Sequence, residues 1–254
     1  MSFLTRFSRT QLIIGGLLTY ATGVSAALTF FPSTPPSGAG GASQEDDATR
    51  FPTESARRST FDQLAPGYDK DVGFHEYLLG IQRRRKRLLK QARGRVLEIA
   101  SGTGRNVDYY LKGCCDEIVF SDFSEGMMEV LKKKVAEKTE IRFKTMNAAA
   151  IPYPDQSFDT VVDTFGLCSF EDPVQVLKEM RRVLRPGGQL LLLEHGNSHW
   201  GFMQDMQARQ LDRHVHKYGC YWNREIEELV QDAGLRVVEK ERSQLGTVYY
   251  MIVE

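Results

Sequence analysis

The stretch Arg95-Val-Leu-Glu-Ile-Ala-Ser-Gly-Thr-Gly-Arg-Asn106 constrains the fold most, because an apolar run ending in an acid and then Gly-x-Gly is a strand breaking into a nucleoside-binding turn. Val96, Leu97 and Ile99 suit a buried parallel strand, and Gly102 and Gly104 let a ligand approach the backbone where a side chain would block it. On this reading a branched Cβ at Gly104 would occupy space that the ligand needs. A dinucleotide site would carry G-x-G-x-x-G, and Val107 stands where its third glycine would be, so NAD is disfavoured.

Further along, Glu117-Ile-Val-Phe-Ser-Asp122 reads as a second strand ending in a carboxylate, where nucleotide folds place the acid that accepts the ribose hydroxyls. Asp122 can equally be a helix N-terminal acid, with Ser124 capping a helix over 125–138. A third strand, 141–145, leads into Met146-Asn147-Ala148, and Ser157 to Phe165 reads as a fourth. Asp172-Pro173 opens a helix whose apolar face is Val174, Leu177, Met180, Val183 and Leu184, and Arg185-Pro-Gly-Gly188 stops it. A fifth strand over 189–194, an amphipathic helix over 225–233 and strands at 235–239 and 246–254 complete the pattern. Alternating strands and helices imply an α/β fold with a parallel sheet, and the last two strands, with no helix between them, form an antiparallel pair.

Glu98, Ala100, Gly102 and Gly104 resemble motif I of the class I S-adenosylmethionine (SAM) methyltransferases. Ile151-Pro-Tyr-Pro-Asp-Gln-Ser-Phe-Asp159 and Arg182 to Gly196 are similar to two further words of that family's type 11 domain, and the resemblance covers roughly residues 59 to 254. It implies a Rossmann-like seven-stranded sheet with helices on both faces, an antiparallel last strand, and SAM as cofactor. Residue by residue it implies cofactor contacts from Glu98, Ala100, Gly102, Gly104 and Asp122. Asn147 and Ala148 would face the adenine, Asn147 standing where the family usually has Asp. Its carbonyl can still accept from the adenine amine. Phe61, Tyr68 and Asp69 resemble the lid of quinone and sterol type enzymes. His195-Gly196, His214, and Gly219-Cys220 through Trp222-Asn-Arg224 look like a membrane-anchored branch that includes the mitochondrial Oms-type and, more distantly, membrane-bound thiol methyltransferases.

Methyl transfer from a sulfonium asks mainly for alignment and exclusion of water. A hydroxyl, phenol or thiol acceptor also profits from a base. His195, just past the fifth strand at its carboxyl end, is placed for that role, or is a loop histidine satisfied by Glu194. Phe165 and Cys168 follow the fourth strand onto the same side, so the acceptor pocket is expected there, roofed by the segment from Trp200 to Trp222. His214 and His216 at their spacing make no metal site, and no metal is expected from the spacing of Cys114, Cys115, Cys168 and Cys220.

The balance of 33 basic and 33 acidic residues argues against a nucleic-acid-wrapping protein. Residues 1–44 contain no acid, carry Arg6 and Arg9 and are rich in Ser and Thr, as mitochondrial presequences are. The uncharged run Gln11 to Phe31 is long enough to cross about 30 Å of hydrocarbon. A single-pass membrane anchor, a cleaved presequence and a secretory signal compete. The anchor is favoured because the run continues past Val24-Ser-Ala26 to Pro32. Residues 1–31 are therefore expected to target or span the mitochondrial inner membrane, 32–58 to form a flexible linker, and 59–254 the catalytic domain. The cluster at 83–95, rich in Arg and Lys on a helix with Phe74, Leu78, Ile81, Leu88 and Leu89 inward, is either a solvated face or a contact to anionic lipid. Two function classes follow: a SAM-dependent methyltransferase acting on a small lipophilic or membrane-proximal acceptor, or a SAM-fold assembly or interaction factor for respiratory complexes.

Overall fold

A computed structural model describes residues 52–110, 113–135 and 141–254. The chain divides into two units, residues 1–44 and 45–254, and every element below belongs to the second. The expected anchor and most of the linker lie outside the described residues, among which no helix is long and apolar enough to cross a membrane.

Seven strands form one sheet in the order β3-β2-β1-β4-β5-β7-β6. They are β1 (Gly94–Ile99), β2 (Cys115–Asp122), β3 (Ile141–Thr145), β4 (Phe158–Thr164), β5 (Leu184–His195), β6 (Val237–Ser243) and β7 (Val248–Val253). The first five run parallel, and β7 pairs antiparallel with both β5 and β6. This is the seven-stranded methyltransferase-type sheet the sequence led us to expect. β5 is longer than expected because Leu184 already pairs with Phe158, so the Pro-Gly-Gly turn falls inside the strand instead of before it. Leu235 is buried ahead of β6 and does not join it.

The strands are apolar on both faces because helices cover both. Leu97, Ile99 and Val161 pack toward α5 (Pro173–Val183) and α7 (Ile226–Asp232), while Val96, Phe120 and Leu191 pack toward α3 (Ile81–Leu89) and α4 (Glu125–Lys134). Asp172 caps α5 by accepting from the Gln175 amide at 2.9 Å, with Pro173 in its first turn. A long helix α6 (Gly201–Tyr218) fills the connection between β5 and α7.

The front of the domain departs from the sequence reading. Helix α1 spans Glu54–Leu64, so residues 54–58 belong to the folded domain and not to a linker. The segment is too polar to show apolar periodicity, yet Arg57 is buried and donates to the Pro52 carbonyl at 2.6 Å. The basic helix is really two, α2 (Tyr68–Leu78) and α3, broken at Gly80, whose φ of +66° no helix continues through. The break inverts two expectations. Phe74 and Leu78, read as core, are 65% and 63% exposed, whereas Arg85, read as surface, is only 4% exposed.

Candidate active site

The turn after β1 is built by residues in the left-handed region: Ala100 (φ +48°), Gly102 (φ +54°) and Gly104 (φ +79°). The two glycines serve different ends. A Cβ on Gly102 would meet nothing within 4 Å, so this residue faces open space and leaves the backbone bare to a ligand. A Cβ on Gly104 would stand 2.2 Å from Leu131 Cδ1 on α4. The expectation that Gly104 clears room for the ligand is therefore corrected: Gly104 is required by helix packing, and Gly102 is the residue that keeps the ligand side clear.

Asp122, at the end of β2, is buried, and its two oxygens accept from the Gly102 and Ser124 amides, each at 2.8 Å. Burial, opposed by these amides, pushes its carboxyl up to about 6. Ser124 is the cap of α4, accepting from Met127 N at 3.1 Å, so the helix-start reading holds: Asp122 buttresses the helix start and also ties it to the glycine turn. Asn147 is exposed and its Oδ1 accepts from Ala149 N at 2.8 Å. A second lone pair on that carbonyl stays available to a ligand donor. Phe123, Asn147, Ala148, Ser169 and Phe170 line a cavity beside this edge, which Glu54 of α1 overhangs.

Glu98 is turned into the protein. Its carboxylate accepts from Asn106 Nδ2 at 3.1 Å and from the Tyr110 hydroxyl at 2.5 Å, and burial pushes it up to about 7 despite those donors. Asn106 Oδ1 accepts from Arg85 Nη1 at 2.9 Å, and the same guanidinium reaches Thr164 Oγ1 and Glu76 Oε1, both at 2.8 Å. One buried arginine thus fixes the loop after β1 to the end of β4. Nothing in the order of residues singled out Arg85 from its basic neighbours; only the break at Gly80 turns it inward.

The segment that resembles a lid lies on this loop. Asp69 accepts from the Thr103 hydroxyl at 2.6 Å and pairs with Lys134 at 2.6 Å and Arg105 at 3.2 Å. Asp62 accepts from Ser124 Oγ and the Gly126 amide, and Phe61 meets Phe123 edge-on at 6.1 Å. Helices α1 and α2 are held against the turn after β1 and the start of α4 by these contacts.

At the carboxyl ends of β4 and β5 the structure brings together Phe165, Cys168 and His195, as expected, and adds Cys220 from just beyond α6. The Phe165 and His195 rings are 5.6 Å apart. The Cys168 and Cys220 sulfurs and a ring nitrogen of His195 all lie within 4.8 Å of one another. Burial opposes a charged Cys168, yet Cys220 and His195 beside it draw its thiol well below the ordinary range. Burial likewise opposes a charged His195, but the Cys168 sulfur holds it above its ordinary value. The pair therefore leans toward thiolate and imidazolium. Behind it, burial pushes the Asp163 and Glu194 carboxyls well above the usual carboxylate range. Glu194 is not the partner of His195: no hydrogen bond joins its carboxyl to the imidazole.

Of the expected roof, Trp222 comes close, stacked on His214 with centroids 4.1 Å apart and donating from Nε1 to the Gln207 carbonyl at 3.0 Å. Trp200 stands at the surface, 50% exposed, against His199 and Phe202.

Residues 97–192 match the family model described as a methyltransferase domain. This is a class I SAM-dependent methyltransferase domain. The chain is 34% identical over 212 residues to the mitochondrial methyltransferase OMS1 of Saccharomyces cerevisiae, an alignment covering 76% of this chain and 45% of the yeast protein. It is 37% identical over 158 residues to the demethylmenaquinone methyltransferase of Renibacterium salmoninarum, covering 60% of this chain and 64% of that protein. The chain thus spans less than two thirds of the length of either relative. Among solved structures, a SAM-dependent methyltransferase of Leishmania major superposes with a TM-score of 0.62 at 13% identity, covering 79% of this chain and 82% of that one, and shares the fold. SAM is the cofactor such a domain binds. The residues fit it: a bare Gly102 backbone, a buried acid beside it and a cavity edged by Asn147 and Ala148.

Proposed function

We propose that this protein is a membrane-anchored mitochondrial methyltransferase, with SAM seated over the turn after β1 and the acceptor over the carboxyl ends of β4 and β5. The observation that carries this reading is Gly102, whose open left-handed turn is tied to the Asp122 carboxylate at 2.8 Å. SAM supplies an activated methyl group. Asp122 would hold the ribose with the lone pairs its two amide bonds leave free, Asn147 and Ala148 would meet the adenine, and α1 with α2 would exclude water.

The acceptor pocket has Phe165 on one wall and Cys168 and His195 as its polar groups. His195 turns toward the cysteine sulfurs, its Nε2 lying 3.9 Å from Cys220 Sγ. A base role at this site would be exercised through that cluster, in which His195 and the two cysteine sulfurs stand side by side. An apolar wall beside few polar groups suits a small lipophilic acceptor delivered from a membrane.

The mitochondrial inner-membrane location and the single anchoring span over 11–31 draw support from the composition of residues 1–44 and from the likeness to the yeast mitochondrial protein. Contact between the domain and lipid draws on the exposed Phe74, Tyr77 and Leu78 of α2 and on the exposed Trp200 and Phe202 near the start of α6. Gln244 donates to the Leu79 carbonyl and Ser198 to the Leu245 carbonyl, so both groups flank the turn between β6 and β7. Calorimetric titration with SAM, followed by transfer of labelled methyl groups to a mitochondrial membrane extract, tests the proposal. Absence of SAM binding would leave an assembly or interaction role as the surviving reading.

A further inference from the structure

Three segments far apart in the chain converge on one small volume. Cys168 follows β4, His195 ends β5, and Cys220 follows Gly219, whose φ of +72° terminates α6. Their donor atoms lie within 4.8 Å of one another, with His195 Nε2 at 3.9 Å from Cys220 Sγ. A tetrahedral zinc ion with bonds of about 2.3 Å to sulfur and about 2.0 Å to nitrogen needs neighbouring sulfur and nitrogen donors roughly 3.5 Å apart, a few tenths of an ångström less than the His195–Cys220 separation, and the remaining pairs need shifts of no more than about 1.3 Å to close the site.

The scaffold holds these donors in place. The Tyr221 amide donates to the Cys168 carbonyl at 2.8 Å, joining two of the three segments beside their sulfurs. Gln207 joins the third: its side chain accepts from Ser198 N at 3.0 Å and donates to the carbonyls of Gly196 and Trp222 at 3.0 and 2.7 Å. His214, with Nε2 3.2 Å from Cys220 Sγ and its ring stacked on Trp222, supports that sulfur from the side.

The electrostatic surroundings suit a cation held by thiolates. The Arg224 guanidinium, bonded to the Leu167 and Phe170 carbonyls at 2.6 Å each, opposes a cation but favours the thiolate forms that bind one. Thiolate and imidazole donors together are the set that selects zinc over magnesium or calcium.

We infer that Cys168, His195 and Cys220 bind one Zn²⁺ ion at the carboxyl ends of β4 and β5, as a three-ligand site with its fourth position free for water or an acceptor atom. On binding, the thiols and any imidazolium release their protons to solvent. Three protein ligands with an open position make the arrangement of catalytic and not structural zinc. The acceptor atom at the fourth position rests on the proposed methyl transfer, whereas the metal binding itself is read directly and stands or fails apart from it.

The full-length protein, purified under reducing conditions, is dialysed against zinc and analysed by elemental mass spectrometry, then stripped and titrated with Co²⁺. One equivalent of zinc is expected, and the cobalt form should show thiolate-to-metal charge-transfer bands with the intense visible absorption of a tetrahedral sulfur site. Cys168→Ser, Cys220→Ser and His195→Ala should each weaken binding by tenfold or more, His214→Ala by less, and Cys115→Ser not at all. Less than about a tenth of an equivalent of zinc in the wild type, with no charge-transfer bands and freely reactive thiols, would overturn the inference without recourse to any variant. So would a Cys168–Cys220 disulfide that persists in reductant. Loss of SAM binding in a protein that keeps its zinc would count against the proposed function and leave the metal site standing.

Discussion

The Gly102 amide donates to the Asp122 carboxylate at 2.8 Å, so the ligand-facing turn after β1 and the acid at the end of β2 are one hydrogen-bonded unit. The other Asp122 oxygen accepts from Ser124 N at the same distance, which extends the unit to the start of α4. Replacing Asp122 with Ala removes the acceptor for two backbone amides and, on the proposed reading, for the ribose. Each unpaired polar group costs on the order of 1–3 kcal/mol. Asp122→Ala should therefore weaken SAM binding by roughly ten- to a hundredfold and lower the unfolding midpoint. Calorimetry and urea denaturation on the same preparation separate the two effects; an affinity change of less than about threefold would leave Asp122 a purely structural tie.

The division of labour between the two glycines predicts opposite signatures. Gly104→Ala drives a Cβ into Leu131 at a φ of +79°, so it should destabilise the fold by about 1–3 kcal/mol through overpacking and strain. Gly102→Ala meets no neighbour and carries only the left-handed penalty, about 1–2 kcal/mol. Its larger effect should fall on SAM affinity, because the new methyl group points into the open space where SAM is proposed to lie. Equal loss of stability with unchanged SAM affinity in both would refute the assignment of their roles.

Much of this was legible in the chain because it is local. Periodicity and the glycine turn gave β1 through β5 nearly in place, and the Asp172-Pro173 start of α5 needs only neighbouring residues. What stayed hidden depends on long-range approach. Arg85 looks like any member of a basic run until Gly80 breaks the helix and turns it toward Asn106 and Thr164, respectively 21 and 79 positions away. Cys220 has no spacing signal toward Cys168 or His195, because its placement is set by the length of α6 and the turn at Gly219. Phe74 and Leu78 match a helical apolar face, but the break leaves that face without a layer to cover it.

The buried Arg85 is the next test of how the loop is held. It bridges Glu76, Asn106 and Thr164 at 2.8 to 2.9 Å, and only Glu76 has a second cation, Arg105 at 2.7 Å. Removing one partner of a buried pair typically costs 3–5 kcal/mol, and the second arginine should keep Arg85→Ala near about 3 kcal/mol. SAM affinity should fall with it, since Asn106 and Glu98 lose the group that orients them. Arg85→Lys keeps the charge but not the planar fork, so it should recover less than half of the lost stability. Full recovery by lysine in denaturant melts would mean that charge alone, not geometry, fixes the loop.

The pH dependence of stability should report on Glu98. Its folded-state carboxyl is pushed from about 4.5 up to about 7 by burial, with Tyr110 and Asn106 opposing the shift. Between those values the folded protein holds a proton that the unfolded chain has released. Stability therefore falls as pH rises through roughly 4.5 to 7 and is flat above it as far as this group is concerned. Asp122, pushed from about 3.8 up to about 6, acts in the same direction over a lower window. Carboxyls held low by arginine or lysine, such as Glu76 and Asp69, act oppositely, but their windows lie below 4.5. Glu98→Gln keeps an acceptor and a donor at the site and cannot ionise, so its melting temperature should decline less than that of the wild type from pH 5 to 7. The two proteins should then differ by a constant amount from pH 7 to 8, the difference corresponding to at most a few kcal/mol. Parallel melting curves across the whole range would show that the Glu98 carboxylate is ionised in the folded protein at pH 5, and that Tyr110 and Asn106 outweigh its burial.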